Sequence, residues 1–340
     1  MGPYRSVAKP LLFALPPEAA HRLAHRLLGL PLPWERIGRA VHDPALRVRL
    51  AGIELANPIG LAAGFDKTGR HVDALGRLGF GYVVAGTFTR RPRRGNRRPR
   101  IVRSPERFAI VNAMGLPNPG AEAAARILAR TPHPTPRLAS IADEAIEDAV
   151  ESHAMLEPHV DAVELNVSCP NVSWGRDRDN EAHLAELLRR LGERRRTPLF
   201  VKLPPFSTPV ERDVVLALAA ITREGGADGL TCANTRPVPE PRLATGTGGL
   251  SGRVLLEDTV RSVGEIRAAT DLPVNASGGI FSPEDALACI RAGATTVQVY
   301  TGLVYRGPRI VGELTAGIAA ELAHRGTVLA ELVGTARPAA

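Results

Sequence analysis

Cysteine is scarce in this sequence: Cys169, Cys232 and Cys289 are the three in 340 residues, scattered and odd in number. No spacing suits a zinc site and no even set frames a disulfide scaffold, which excludes a small stapled secreted fold and points to a reducing compartment, with no metal expected. No run of about 20 apolar residues is present to cross a bilayer. The N-terminus has no leader with a charged start and a small-residue cleavage site. The expected location is the cytoplasm, or a peripheral position on the cytoplasmic face of the inner or cell membrane. Lysine is nearly missing from a chain with 43 basic residues, so Lys67 and Lys202 stand out against the arginines. No Gly-x-Gly-x-x-Gly turn follows an early strand, which counts against an open dinucleotide-binding sheet.

A hydrophobic share of 44% is ample for a large core, and an α/β barrel takes about 250 residues as one domain. The net charge is +8, and the basic excess is uneven. Arg90, Arg91, Arg93, Arg94, Arg97, Arg98, Arg100 and Arg103 lie within one short stretch. Such a cluster could attract nucleic acid, anionic lipid or an anionic ligand, or could be a solvated loop in an arginine-rich chain.

Residues 3–30 read as two amphipathic helices broken at Pro16-Pro17, with Pro17 suited to a first helical turn. Tyr4, Val7, Leu11, Leu12 and Leu15 form the first apolar face, which Pro10 interrupts. Ala20, Leu23, Ala24, Leu27 and Leu28 form the second, with Glu18, Arg22, His25 and Arg26 around it. A hairpin of this kind lies on a membrane, caps a tunnel or simply packs on the main domain. From about residue 50, strand-like runs at 59–63, 82–85, 138–141, 162–166, 199–203, 229–232, 273–276 and 296–300 alternate with helical segments near 69–79, 120–130, 143–157, 180–195, 209–225, 257–269 and 283–292, and a last one after Pro308. Eight such units predict a closed (β/α)8 barrel, a TIM barrel, at 46–325. It follows an N-terminal helical extension at 1–45 and precedes an Ala-rich helical end and frayed tail at 326–340. The long connection at 88–120 carries two β-type runs, which predict an ordered hairpin over the barrel mouth.

Chemistry in such barrels sits at the carboxyl ends of the strands. There, the stretch from Asp161 to Asn171 runs from a buried strand into Asn166, Ser168, Cys169, Pro170 and Asn171. It reads as a thiol acid/base flanked by amides, or as a plain turn in which the asparagines satisfy the backbone. Asn112, Asn166, Asn171 and Asn234, with Thr235 beside the last, form a set of carboxamides suited to a small ring that both donates and accepts. Asn275-Ala-Ser-Gly-Gly-Ile280 and Gln298-Val-Tyr-Thr-Gly302 end the last two strands on small residues, as a phosphate cradle requires. Lys202 lies within a strand and must point into a polar centre, where a cation can neutralise a reduced flavin ring. Lys67, at a strand end beside glycine, could meet a substrate carboxylate or be a surface loop lysine.

Together these residues resemble the dihydroorotate dehydrogenases, FMN-dependent barrels of pyrimidine biosynthesis. The matching segments are Asn57-Pro-Ile-Gly-Leu-Ala-Ala-Gly-Phe-Asp-Lys67, Arg100-Ile-Val-Arg103 through Asn112-Ala-Met-Gly-Leu-Pro-Asn118, Asn166 to Asn171, Val201-Lys202, Asn234-Thr235, Gly248-Gly-Leu-Ser-Gly252, Ser277-Gly-Gly-Ile280 and Tyr300-Thr301. The resemblance implies proton loss from dihydroorotate to a base and hydride transfer to flavin N5, with Cys169 at the base position. It further implies that Lys67, Asn112, Gly115, Leu116, Asn166, Asn171, Asn234 and Thr235 hold the substrate. Ala63, Gly64, Thr87, Ser140, Asn166, Lys202, Gly252, Gly278, Gly279, Tyr300 and Thr301 would hold FMN, and Arg103 with Tyr300 would line a quinone tunnel.

The N-terminal hairpin, the Gly-Phe-Asp-Lys loop and the Arg103/Tyr300 pair are similar to the quinone-dependent, membrane-associated class. That class has serine as its base, then threonine after Pro-Asn, where this chain has Cys169 and Val172, and a flavin-contacting asparagine where it has Ser140. Cys169, Met114-Gly-Leu-Pro-Asn118 and Val201-Lys-Leu-Pro-Pro205 are similar to the soluble class. A quinone is the expected acceptor. The alternatives are a fumarate- or NAD-linked relative, an enzyme of another dihydropyrimidine, a tRNA-dihydrouridine synthase and a phosphate-binding isomerase or aldolase. No nucleic-acid partner is expected.

Overall fold

Eight runs of buried residues become the wall of a closed barrel in a computed structural model that describes residues 4–167 and 180–336. The strands are β1 (Ile59–Leu61), β2 (Tyr82–Phe88), β3 (Arg137–Ile141), β4 (Ala162–Asn166), β5 (Leu199–Lys202), β6 (Gly229–Cys232), β7 (Val274–Ser277) and β8 (Thr296–Val299). Neighbours in sequence pair in parallel around the ring, and β8 closes it on β1, with Gln298 opposite Gly60. This is the predicted (β/α)8 barrel. Helices cover one face of each strand and barrel side chains the other, so the strands read as continuous apolar runs rather than alternations. β2 is buried at every position.

The expected helical segments appear with trimmed ends, among them Pro209–Glu224 and Pro283–Ala292. Both open on a proline preceded by a capping residue. Thr208 accepts from the Glu211 amide while the Glu211 carboxylate accepts from the Thr208 amide, and Ser282 and Asp285 repeat the arrangement. Such reciprocal caps satisfy orphan helix donors and fix where the loop after the preceding strand ends.

Inside the barrel lies a polar layer that the apolar pattern did not announce. The Tyr82 hydroxyl meets Thr296 Oγ1 at 2.8 Å, Thr296 donates to Asn275 Oδ1 at 2.6 Å, and Asn275 donates to Thr231 Oγ1 at 3.3 Å. Thr231 then donates to the fully buried Glu164 carboxylate at 2.9 Å. A buried carboxylate needs such donors, so these strand polar residues are structural. Gly60 makes room for the layer: a Cβ there would fall 2.2 Å from the Tyr82 ring.

The 88–120 connection folds as expected into an antiparallel hairpin, Ile101–Ser104 with Ala109–Asn112. Two strands from the loop after β6, Thr247–Gly252 and Arg236–Pro239, extend it into a four-stranded sheet. Much of the arginine cluster is engaged within the fold: Arg90 pairs with Glu151, Arg93 with Glu144, and Arg98 and Arg100 with Glu18.

At the N-terminus, a wide helical turn over Tyr4–Ala8 leads into α1 (Lys9–Ala14), α2 (Pro17–Leu28) and α3 (Trp34–Gly38). Pro10 lies in the first turn of α1, so it starts that helix rather than interrupting it. The packed face of α2 differs from expectation. Ala20, Ala24 and Leu28 turn inward as predicted, but so do His21 and His25, whereas Leu23 and Leu27 are exposed. The histidines find aromatic partners, with ring centroids 5.7 Å (His21) and 5.4 Å (His25) from Phe65. Val7, Leu11, Leu15, Leu23, Leu27, Leu30 and Leu32 thus form an apolar exterior on the extension. Among the described residues no helix is long and apolar enough to cross a membrane. At the other end, the expected helical end appears at Leu329–Leu332, where both leucines are buried, and the amides of Gly334 and Ala336 donate to the carbonyls of Ile290 and Arg291; residues 337–340 of the expected tail lie outside the described residues.

Candidate active site

The carboxyl ends of the barrel strands, the four-stranded sheet and the N-terminal helices enclose a cavity of about 460 Å³. Three regions of different chemistry share it.

The first is a carboxamide cluster. Asn112 ends a strand of the lid sheet, and its Nδ2 donates to Gly249 O on the neighbouring strand at 3.4 Å. Gly249 has no Cβ because one would fall 2.0 Å from Thr235 Oγ1. Asn234 donates to Asn166 Oδ1 at 3.4 Å, and its own Oδ1 accepts from the Thr235 amide at 2.8 Å. Gly115 and Leu116 close the region on a turn with φ of 70° and 53°. Lys67 enters from the turn after β1. That turn is fixed by the buried Asp66 carboxylate, which accepts from the amides of Thr68, Gly69 and His71 at 3.1, 3.0 and 2.7 Å. Lys67 Nζ donates to Gly64 O. Lys67 is half-buried and lines the cavity, and burial pushes its pKa down to about 8, with Asp66 opposing. The cluster therefore joins Lys67, Asn112, Gly115, Leu116, Asn166, Asn234 and Thr235, all lining the cavity. Cys169 and Asn171 lie outside the described residues.

The second region is built from glycines. Gly252, Gly278 and Gly279 have φ of 117°, 144° and 78°, and a Cβ on Gly279 would fall 2.4 Å from the Leu256 amide nitrogen. Thr301 opens the helix Thr301–Arg306 after β8, and its hydroxyl donates to Ser251 Oγ at 2.9 Å. Ala63, Gly64 and Thr87 line the adjoining wall. Lys202, 5% exposed at the end of β5, faces the cavity and makes no hydrogen bond or ion pair to the described residues. A backbone cradle free of Cβ atoms beside a buried, unpartnered cation fits a cofactor with a phosphate and an electron-rich ring. Ser140 departs from expectation: it is fully buried in β3, does not line the cavity, and meets Thr87 at 3.1 Å between hydroxyl oxygens. The pleat of β3 puts it behind Thr87, so it supports a wall residue.

The third region is apolar and reaches the N-terminal extension through Ala8, Leu12, Phe13, Ala20, Ala24 and Leu28. Tyr300 stands at its junction with the other two. Its hydroxyl donates to Gly64 O at 3.2 Å, its ring meets Phe65 at 5.6 Å, and burial pushes its pKa up to about 12. Arg103 donates to the carbonyls of Leu12, Phe13 and Leu15 and lies 4.6 Å from the Phe13 ring centre. It therefore anchors the C-terminal end of α1 as well as lining the passage.

Sequence reasoning missed His21 and Phe65, which line this passage. Burial, with help from Lys67, pushes His21 down to about 2, so its ring is neutral at working pH. The signal was a spacing of Pro17, His21, Ala24 and Leu28 along one helical face. Cys232 and Cys289 are buried free thiols whose pKa values burial pushes up, which makes them core residues.

Residues 45–322 match the family described as "Dihydroorotate dehydrogenase". A protein of Anaeromyxobacter dehalogenans named "Dihydroorotate dehydrogenase (quinone)" is 40% identical over 353 residues, covering 96% of this chain and 95% of that protein. One of the same name from Paracidovorax citrulli is 37% identical over 357 residues, covering 94% and 98%. The crystal structure of the Eimeria tenella DHODH in complex with ferulenol superposes with a TM-score of 0.81 at 29% identity, covering 96% of this chain and 98% of that one. Fold, cavity and kinship agree, and the chain belongs to the dihydroorotate dehydrogenase family.

Proposed function

We propose that this chain oxidises dihydroorotate to orotate in pyrimidine biosynthesis, with FMN as its cofactor and a quinone as the electron acceptor. One observation carries the reading: a single cavity joins a carboxamide cluster, a glycine cradle with a buried lysine, and an apolar passage opening toward the N-terminal helices.

Asn112, Asn166 and Asn234, with Thr235, offer donors and acceptors to the edges of the pyrimidine ring, and Lys67 offers a cation to its carboxylate. Asn171, by its place in the sequence, belongs with them. The glycine turn and Thr301 hold the phosphate of FMN, while Lys202 favours negative charge on its ring. When bound, FMN supplies a hydride acceptor at N5. Cys169 takes the proton from the ring carbon: a thiol has a reference pKa of about 8.5 and needs little help to act as a base near neutrality. That accords with Val172 standing where the quinone class has a threonine. Arg103, Tyr300 and His21 border the quinone path, and the apolar exterior of α1 and α2 lies against the membrane that holds the quinone.

The test is steady-state orotate formation with a quinone, fumarate and NAD compared as acceptors. The quinone should sustain turnover, and fumarate or NAD as the sole effective acceptor would overturn the acceptor assignment. Removal of residues 1–35 from a still-folded protein should abolish quinone turnover and its sensitivity to detergent. Unchanged values for both would remove the extension from that role.

A further inference from the structure

The N-terminal extension touches the substrate end of the cavity through one carboxylate. Glu18, in the first turn of α2, accepts from Arg100 Nε and Nη2, each at 3.1 Å, and from the more exposed Arg98 at 3.1 Å. Arg100 is 8% exposed. Its remaining nitrogen, Nη1, donates to three backbone carbonyls, Arg94 O at 3.0 Å, Asn96 O at 3.2 Å and Met114 O at 3.4 Å. Met114 O also accepts from the Asn96 amide at 2.9 Å, and Ala113 O accepts from Asn96 Nδ2 at 3.0 Å.

The next two residues, Gly115 and Leu116, hold left-handed backbone and line the carboxamide cluster. Gly115 sits so close over Asn96 that a Cβ would fall 2.5 Å from its side-chain oxygen. The guanidinium is therefore the fastener of this turn, and its countercharge comes from a different part of the chain. A planar fork meeting a carboxylate with two parallel bonds is the strongest geometry open to the pair. A buried guanidinium stripped of its carboxylate must reach for water, which costs it the carbonyl contacts that shape the turn.

We propose that Glu18 is a positioning residue for the substrate: through Arg100 it sets the Met114–Leu116 turn, so the extension that serves the quinone also tunes dihydroorotate binding. This rests on the proposed activity. The same two charges also reach Lys67, where Glu18 raises the ammonium pKa and Arg100 lowers it, after the larger effects of burial and Asp66.

The test uses the full-length, flavin-loaded protein, mixed anaerobically with L-dihydroorotate and no quinone. Glu18→Gln should raise the half-saturating dihydroorotate concentration about tenfold or more, with a smaller change in the limiting bleaching rate. Orotate binding should lose strength at lower pH than in the wild type, because Lys67 loses a supporting charge. Arg98→Gln, which leaves the Arg100 fork intact, should match the wild type. Combining Glu18→Gln with Arg100→Gln should bind no worse than Arg100→Gln alone. That comparison also stands if the single Glu18 variant fails to fold.

Amide exchange at residues 114–116 reads the brace without substrate and should quicken in Glu18→Gln. Wild-type half-saturation and exchange in Glu18→Gln, or additive effects in the double variant, would overturn the proposal. A wild-type protein that dihydroorotate does not bleach would instead sink the activity, leaving exchange to decide the brace.

Discussion

Lys67 gives the proposed substrate site a pH dependence whose sign is fixed. Burial holds its ammonium near pKa 8 in the free protein, well under the ordinary lysine value. An anionic ligand binds the charged form, so affinity must fall as the pH rises through 8. A group of that pKa is about nine-tenths charged at pH 7 and about one-tenth at pH 9, so the orotate dissociation constant should rise about tenfold over that interval, worth about 1.4 kcal/mol. The assay is a titration of flavin absorbance with orotate at closely spaced pH values. Lys67→Met should weaken orotate by about 10- to 100-fold at pH 7, the loss of a charge-assisted hydrogen bond, and should abolish the slope. An orotate affinity flat between pH 7 and 9 in the wild type would refute the placement of the carboxylate on Lys67.

Three further outcomes follow from named contacts. Gly279→Ala would put a Cβ 2.4 Å from backbone at Leu256, so the cradle must open; flavin content after purification should fall sharply, and a fully loaded variant would move the phosphate elsewhere. Cys169→Ala should slow flavin reduction by dihydroorotate by orders of magnitude while FMN stays bound, as rapid-mixing absorbance will show. Gly60→Ala drives a methyl into the Tyr82 ring, whose hydroxyl is tied to Thr296; overpacking of this kind costs about 1–3 kcal/mol, and a thermal melt should show a clearly lower midpoint.

The barrel was legible because its strands are buried on both faces and therefore read as apolar runs, and because prolines and capping residues mark helix starts such as 209 and 283. Lys202 was legible for a related reason: a lysine in such a run has nowhere to go but a polar centre. The two lid strands that follow β6 were not legible. Arg236–Pro239 carries two prolines and Thr247–Gly252 three glycines, which conceal an edge strand and a close approach to Thr235 from any propensity argument. The orientation of α2 failed for another reason. Apolar periodicity weighs Leu23 and Leu27 above His21 and His25, but the aromatic wall at Phe65 selects the histidines. Ser140 was placed by resemblance alone, and the pleat of β3 points it at Thr87. The polar layer around Glu164 needs several strands brought together, which no local pattern contains.

The most direct test of the central claim is anaerobic rapid mixing of the purified protein with L-dihydroorotate, followed by a quinone, with flavin absorbance as the readout. The colour should bleach on the first mixing and return on the second. Bound flavin that dihydroorotate leaves oxidised would contradict it, since the carboxamide cluster and Lys67 would then serve another ring.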